Sequence, residues 1–232
     1  MLRHAERLGY LGSGSPSAPS ARSGSVGRLD SHVAHSAAFA DLVLELLPRR
    51  LHRPVAIVDL GTGGGVPGLV VACRLAATFA VCAREPGSEE PHLWLVEASE
   101  SKAAFLADAV SQLGLSNLVS VVQVRAESLG RDAAFRGAVD LVTARAFGKP
   151  AVTAECAAPL LAPDGVVVVS EPPPDGGSRV GRWPPAGLSE LGLGEPRFRQ
   201  VGSYGFVLLS RQRQCPARFP RRLGVPAKRP LF

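Results

Sequence analysis

The glycine-rich stretch 59–68, Asp-Leu-Gly-Thr-Gly-Gly-Gly-Val-Pro-Gly, has the residue types and spacing to bind a small polar ligand. It follows the apolar run 55–58 and precedes a helical run, so it predicts a strand, a tight turn and a helix N-terminus in that order. Gly61, Gly63 and Gly65 can adopt positive φ and let a ligand lie against the main chain. The stretch therefore predicts a nucleotide-sized site at the carboxyl end of a parallel strand.

Two registers of this loop indicate different cofactors. Residues 63–68 fit Gly-x-Gly-x-x-Gly, the dinucleotide fingerprint, whereas residues 59–65 fit Asp-x-Gly-x-Gly-x-Gly, which is typical of S-adenosylmethionine-dependent methyltransferases. A carboxylate on Asp59 would repel a pyrophosphate but would suit the cationic, amino-bearing methionine part of the methyl donor. The acidic residue favours S-adenosylmethionine.

Charged residues also follow the other predicted strands. Glu97 ends the apolar run 93–96, where a carboxylate can accept hydrogen bonds from ribose hydroxyls. Ala126 and Glu127 follow the next strand, and Glu127 could accept from an adenine amino group. Arg145 follows the strand after that, and beside a cationic donor it indicates an anionic substrate such as a phosphate backbone. Such residues converge on one crevice in an open α/β sheet.

The elements that would position these residues alternate between strand and helix. The predicted strands are 55–60, 93–97, 119–124, 138–143, 165–170 and 204–211. The predicted helices between them are 68–80, 100–113, 150–161 and 185–191. Continuous apolar strands alternating with helices predict an α/β fold, with a mostly parallel sheet covered on both faces.

Composition divides the chain into three parts. Residues 1–27 predict a loosely tethered stub followed by a flexible Gly/Ser/Pro linker. Residues 28–217 predict the folded domain, which begins with an amphipathic capping helix. Residues 218–232 predict a basic, proline-rich tail.

Positive charge is concentrated at the C-terminus. The whole chain has a formal net charge of +6, yet residues 196–232 contain nine Lys or Arg and no Asp or Glu. A patch of one sign is expected of a polyanion-binding surface such as an RNA interface, although a solvated basic tail gives the same pattern. We expect Arg221, Arg222 and Lys228 to contact phosphates, together with Arg145.

Other chemistry is not indicated. The four cysteines form no Cys-x-x-Cys pair, and His32 and His35 share a helix face without the spacing of a metal site. No apolar run approaches the roughly 20 residues that span a bilayer, and the N-terminus lacks a signal-peptide core. We therefore expect a cytoplasmic monomer without metal.

Three motifs together carry a family resemblance. They are the glycine loop, the run Lys-Ala-Ala-Phe-Leu at 102–106, and the ending Arg-Phe-Pro-Arg-Arg-x-Gly-x-Pro-x-Lys-x-Pro-Leu at 218–231. From about residue 28 onward the chain resembles the glucose-inhibited division protein B family, bacterial small-subunit (16S) ribosomal RNA methyltransferases that modify a guanine N7. The resemblance implies a Rossmann-like class I fold with a seven-stranded, mostly parallel sheet and helices on both faces, S-adenosylmethionine as cofactor and ribosomal RNA as partner.

The resemblance also implies residue roles. Gly61 and Val66 would line the donor pocket, Ala126 and Glu127 would hold the adenine, and Arg145 would face both donor and RNA. Guanine N7 carries an available lone pair, so its methylation needs no general base, and catalysis would rest on in-line positioning. No catalytic side chain is predicted.

The sequence departs from the family on the substrate side. The family's upstream Trp-Asn and Asn-Leu-Thr pattern is absent, His35-Ser36 stands where an Asp-Ser pair is usual, and Ser170-Glu171 stands where a lysine is expected. These departures favour one alternative, a small-molecule methyltransferase. A non-catalytic RNA-binding paralogue and a nicotinamide-dependent oxidoreductase also stay open.

Overall fold

The computed structural model describes residues 1–11, 25–47, 54–82, 90–172 and 181–232. Most of the predicted linker, residues 12–24, lies outside these ranges, as do the loop residues 83–89 and 173–180.

Within the described residues, seven strands form one sheet. The strands are β1 (Ala56–Leu60), β2 (His92–Glu97), β3 (Val119–Gln123), β4 (Val139–Ala144), β5 (Leu161–Glu171), β6 (Arg197–Val201) and β7 (Tyr204–Ser210). The α-helices are α1 (Leu2–Arg7), α2 (Ser25–Leu46), α3 (Gly68–Cys82), α4 (Glu100–Gln112), α5 (Ala126–Leu129), α6 (Pro150–Ala157), α7 (Pro185–Glu190) and α8 (Val225–Lys228).

The sheet has the strand order β3-β2-β1-β4-β5-β7-β6. Strands β1 to β5 run parallel, β7 is antiparallel to β5, and β6 is antiparallel to β7. The chain moves outward from β1 to β3 and then returns to β4 on the other side of β1. The carboxyl ends of β1, β2 and β4 therefore surround the topological switch point, where open α/β sheets bind ligands.

Two apolar cores cover the two faces of the sheet. One core joins Ile57 of β1 to α2, α3 and α4, and the other joins Val58 of β1 to α5, α6 and α7. Neighbouring residues of β1 face opposite cores because side chains alternate across a strand. All six residues of β4 are buried, as expected for a central strand covered on both faces. The predicted fold class is confirmed.

Local boundaries differ from the sequence prediction. Strand β6 was not among the six predicted strands, because its sequence Arg-Phe-Arg-Gln-Val lies at the exposed sheet edge and lacks a buried apolar run. Helix α2 begins at Ser25, so the linker ends before the predicted residue 27. Strand β5 begins at Leu161, where the sequence predicted the end of a helix.

Both terminal segments pack against the folded domain. Ala5 in α1 is fully buried, and the main-chain oxygen of Tyr10 accepts a hydrogen bond from Gly64 N at 3.1 Å. Near the C-terminus, Phe219 is buried and its oxygen accepts from Arg136 Nη1 at 2.7 Å. The predicted stub and tail are therefore docked segments.

Candidate functional site

The glycine loop lies between β1 and α3 at the switch point. Gly61, Gly63 and Gly65 have φ values of 64°, 58° and 92°, so the loop uses the conformations that only glycine adopts without strain. Thr62 N donates to Val96 O of β2 at 3.1 Å and fixes the loop beside the neighbouring strand. The loop has the predicted place and shape.

Asp59 lies behind the loop, buried from solvent. Its Oδ1 accepts from Thr143 Oγ1 at 2.6 Å and its Oδ2 accepts from Gly68 N at 3.1 Å. Burial raises the pKa of Asp59 to about 6, although the hydrogen bonds from Thr143 and Gly68 oppose the shift. The predicted direct contact between Asp59 and a methionine amino group does not fit a fully buried carboxylate. Asp59 instead joins β1, β4 and the first turn of α3.

Glu97 stands at the end of β2, half-buried beside the loop. Its Oε2 accepts from Gly63 N at 3.0 Å and its Oε1 accepts from Ser99 N at 2.8 Å. Each carboxylate oxygen has a second lone pair, so ribose hydroxyls can still donate to it. The predicted role of Glu97 stays compatible with this geometry, and the residue also holds the loop.

Several loop glycines are packed against the protein's own side chains. A Cβ at Gly61 would lie 2.5 Å from Phe147 Cδ2, and one at Gly65 would lie 2.4 Å from Leu69 Cδ1. Phe147 follows Ala146, whose φ of 50° is unusual for a residue other than glycine and marks a strained turn after β4. Phe147 lies at a predicted strand end but is not among the predicted site residues. The Ala-Arg-Ala-Phe-Gly-Lys stretch could have indicated a turn at the strand end, but not which loop the ring would cover.

Ala126 and Glu127 begin the short helix α5 after β3. The Glu127 carboxylate is buried and its Oε1 accepts from Gly224 N, 3.0 Å away in the C-terminal segment. Because the carboxylate faces the C-terminal segment, the structure does not support the predicted contact between Glu127 and an adenine. The contact of Ala126 with an adenine stays a prediction, as does the place of the half-buried Val66 in the donor pocket.

Arg145 links the end of β4 to α2. Its guanidinium contacts His32 Nδ1, and its Nη1 donates to His32 O at 3.5 Å. Burial lowers the pKa of Arg145, while the charge of Asp59 acts in the opposite direction. Ala144 pairs with Leu60, so Arg145 follows β4 next to the start of the glycine loop after β1. Contact with RNA stays a prediction.

His35 packs in an aromatic cluster next to Arg145. Its ring stacks on Tyr204 with centroids 4.6 Å apart and an interplanar angle of 2°, and Phe39 and Phe206 complete the cluster. Burial, Arg145 and His32 together lower the pKa of His35 to about 3. His35 is therefore neutral at physiological pH and cannot act as a cation towards RNA.

The cationic side chains of the C-terminal segment differ in their environments. Arg221 donates through N, Nε and Nη2 to the fully buried carboxylate of Glu155, over 2.8, 2.9 and 2.6 Å. Arg222 and Lys228 are exposed. The contacts therefore favour a structural role for Arg221 in place of the predicted phosphate contact. The phosphate contacts of the exposed Arg222 and Lys228 stay predictions.

Glu171 ends β5, at the position where the family resemblance leads us to expect a lysine. It is buried, and its oxygens accept from Trp183 Nε1 at 2.9 Å and from Arg182 Nε at 3.1 Å. These bonds attach residues 182 and 183 to the carboxyl end of β5. Within the described ranges, no group of acidic, His or Cys side chains could hold a metal ion.

None of the helices in the described part of the chain combines the length and the apolar character needed to cross a bilayer.

Comparisons with known proteins agree on one family. The sequence profile of the family described as rRNA small subunit methyltransferase G matches residues 29–171. A protein named ribosomal RNA small subunit methyltransferase G from Rubrobacter xylanophilus is 37% identical over 182 residues, which cover 75% of this chain and 64% of that protein. The protein of the same name from Parasynechococcus marenigrum is 34% identical, with 79% of this chain and 70% of that protein covered. The aligned region thus spans about two thirds of these relatives.

Solved structures agree on the fold. A putative S-adenosylmethionine-dependent methyltransferase from Methanococcus maripaludis gives a TM-score of 0.56 at 12% identity, over 82% of this chain and 91% of that chain. A SAM-dependent methyltransferase from Aquifex aeolicus gives a TM-score of 0.52 at 16% identity, over 80% of this chain and 95% of that chain. The predicted class I methyltransferase fold is confirmed.

Proposed function

The chain belongs to the rRNA small subunit methyltransferase G family, and from this premise we propose that it is an S-adenosylmethionine-dependent methyltransferase acting on small-subunit (16S) ribosomal RNA. We further propose that the acceptor is a guanine N7. The observation that carries the proposal is the glycine loop at the switch point, held between Asp59 and Glu97 at the ends of adjacent parallel strands.

The residues at this loop fit the methyl donor better than a dinucleotide. Glu97 offers half-buried carboxylate oxygens that suit ribose hydroxyls. The two carboxylates next to the loop give it an acidic environment, which disfavours a pyrophosphate and favours a sulfonium and an ammonium group. When bound, S-adenosylmethionine would supply an electrophilic methyl group.

The chain's own contribution to the reaction would be positioning. The N7 lone pair of guanine needs no proton removed, so a general base is unnecessary. The titratable groups near the loop agree with this: Asp59 is buried and hydrogen-bonded, and His35 is held neutral in its aromatic cluster. Holding the acceptor in line with the methyl group and excluding water can supply a large part of the rate enhancement.

The RNA would be held by cations on the surface of the chain. Arg222 and Lys228 lie exposed in the C-terminal segment, which Glu127 and Arg136 attach to the folded domain. A docked segment presents its charges at a fixed position relative to the donor site. Arg145, beside the glycine loop, would face the phosphate or the base nearest the reacting centre.

One observation favours a second candidate, a methyltransferase of the same fold with a different acceptor. Glu171 stands where a lysine is expected, and its fully buried carboxylate accepts hydrogen bonds from Arg182 and Trp183. This position therefore lacks the cation that would pair with a phosphate, which favours a different acceptor.

Methyl transfer from labelled donor tests the proposal. We expect purified protein to label small subunits from cells that lack this modification, and a Glu97→Ala variant to label them far more slowly. Label found only in small metabolites would support the second candidate. RNA binding without transfer would indicate a non-catalytic paralogue, and thermal stabilisation by NAD but not by S-adenosylmethionine would contradict the proposal.

A further inference from the structure

The N-terminal segment 1–11 packs directly on the glycine loop, although it lies outside the matched family region 29–171. Gly64 is buried, and its amide donates to the main-chain oxygen of Tyr10 at 3.1 Å. This bond joins the middle of the loop to a residue more than fifty positions earlier in the chain.

Close packing around Gly64 supports the contact. A Cβ at Gly64 would lie 2.8 Å from Leu11 Cδ2, 3.1 Å from Ala5 Cβ and 3.1 Å from Tyr10 O. A Cβ at Gly63 would also lie 3.3 Å from Tyr10 O. The nearest atoms at these two glycines thus come from the N-terminal segment, so the segment explains part of the loop's glycine content.

The other side of the segment contacts helix α4. The Tyr10 ring meets Phe105 edge-on with centroids 5.6 Å apart, and Lys102 Nζ lies 5.9 Å from the centre of the Tyr10 ring. Helix α4 begins three residues after Glu97, on the predicted ribose side of the site. Tyr10 therefore connects the glycine loop to the helix that follows the ribose-binding position.

We propose that the segment 1–11 is a working part of the methyl-donor site, in which Tyr10 is a positioning residue that holds the glycine loop in its binding conformation. The proposal rests on the proposed function, because it takes the glycine loop as the donor site. A loop already ordered before the donor arrives loses less conformational entropy on binding, so the contact raises affinity without touching the donor.

Donor affinity of full-length variants tests the proposal by calorimetry at a temperature where every variant is folded. We expect Tyr10→Ala to raise the Kd about fivefold and Gly64→Ala about tenfold, which corresponds to about 1.4 kcal/mol. Gly64 has an ordinary φ, so its added methyl group acts by displacing the segment. Tyr10→Phe keeps the ring and should bind like the wild type, as should Arg7→Ala on the exposed side of α1.

A double variant tests whether the two substitutions weaken donor binding through the same contact. If both substitutions act by loosening one contact, Tyr10→Ala combined with Gly64→Ala should bind the donor no more weakly than Gly64→Ala alone. Fully additive losses, or wild-type affinity in both single variants, would overturn the proposal.

Amide hydrogen exchange without donor separates this proposal from the proposed function. The Gly64 amide should be protected in the wild type and should exchange about tenfold faster in Tyr10→Ala. Unchanged exchange would overturn the positioning role. A wild type with a protected Gly64 amide and no affinity for the donor would instead overturn the proposed function.

Discussion

Replacing Arg221 by alanine tests whether the C-terminal segment is held to the domain by a buried ion pair. Glu155 is fully buried and accepts three hydrogen bonds from Arg221, of which only the main-chain bond would survive the substitution. A buried carboxylate that loses its cation typically destabilises a protein by about 3–5 kcal/mol. The Arg221 side chain is 26% exposed, so water can partly replace it, and we expect the lower end, about 3 kcal/mol.

Urea denaturation followed by tryptophan fluorescence measures this loss. For a chain of this size, the same change should lower the melting temperature by about 6–12 °C. Arg218→Ala is the matched control, because Arg218 pairs with Glu190 over 3.0 Å with side chains 62% and 46% exposed. An exposed pair contributes at most about 1 kcal/mol. If Arg221→Ala were as stable as the control and yet lost RNA affinity, Arg221 would be a phosphate contact and the structural role would be refuted.

Three further predictions concern the site and its surface. Between about pH 4.5 and 7, the unfolding free energy of the wild type should fall by about 2 kcal/mol relative to Asp59→Asn, because burial raises the pKa of Asp59 to about 6 and the folded state resists ionisation; parallel pH profiles would contradict this. Gly61→Val should abolish donor binding measured by calorimetry, since a Cβ there meets the Phe147 ring. The control Gly114→Val, at a φ of 67° with open space around it, should lose stability but keep donor affinity. Equal affinities of the two variants would show that the contact with the Phe147 ring is unimportant. Replacing both Arg222 and Lys228 by alanine should reduce the slope of log affinity for RNA against log salt by about 1.5 to 2; an unchanged slope would place the phosphate contacts elsewhere.

The fold follows from local patterns, so the sequence could predict most of it. Buried parallel strands such as β4 are continuous apolar runs, and glycine punctuates the turn after β1. Strand β6 escaped prediction because it is an edge strand with a polar sequence, and its pairing with β7 is a tertiary contact.

The strand-end positions of the candidate site residues could be predicted from the sequence, but the directions of their side chains could not. Asp59 and Glu127 both lie where the strand order places them, yet Asp59 faces α3 and Glu127 faces the C-terminal segment. Sequence spacing indicates which residues stand at a strand end. How deeply their side chains are buried depends on which distant segment of the chain covers them. For the same reason, the contacts of Tyr10 and Phe147 with the loop could not be predicted, since each joins residues far apart in the chain.

A crystal structure with bound S-adenosylhomocysteine tests most directly whether the methyl donor lies against the glycine loop. We expect the ribose hydroxyls to donate to Glu97 at about 2.6–2.9 Å while Gly63 N keeps its bond to the same carboxylate. A ligand bound elsewhere on the chain, or a ribose facing away from Glu97, would contradict the proposed donor site.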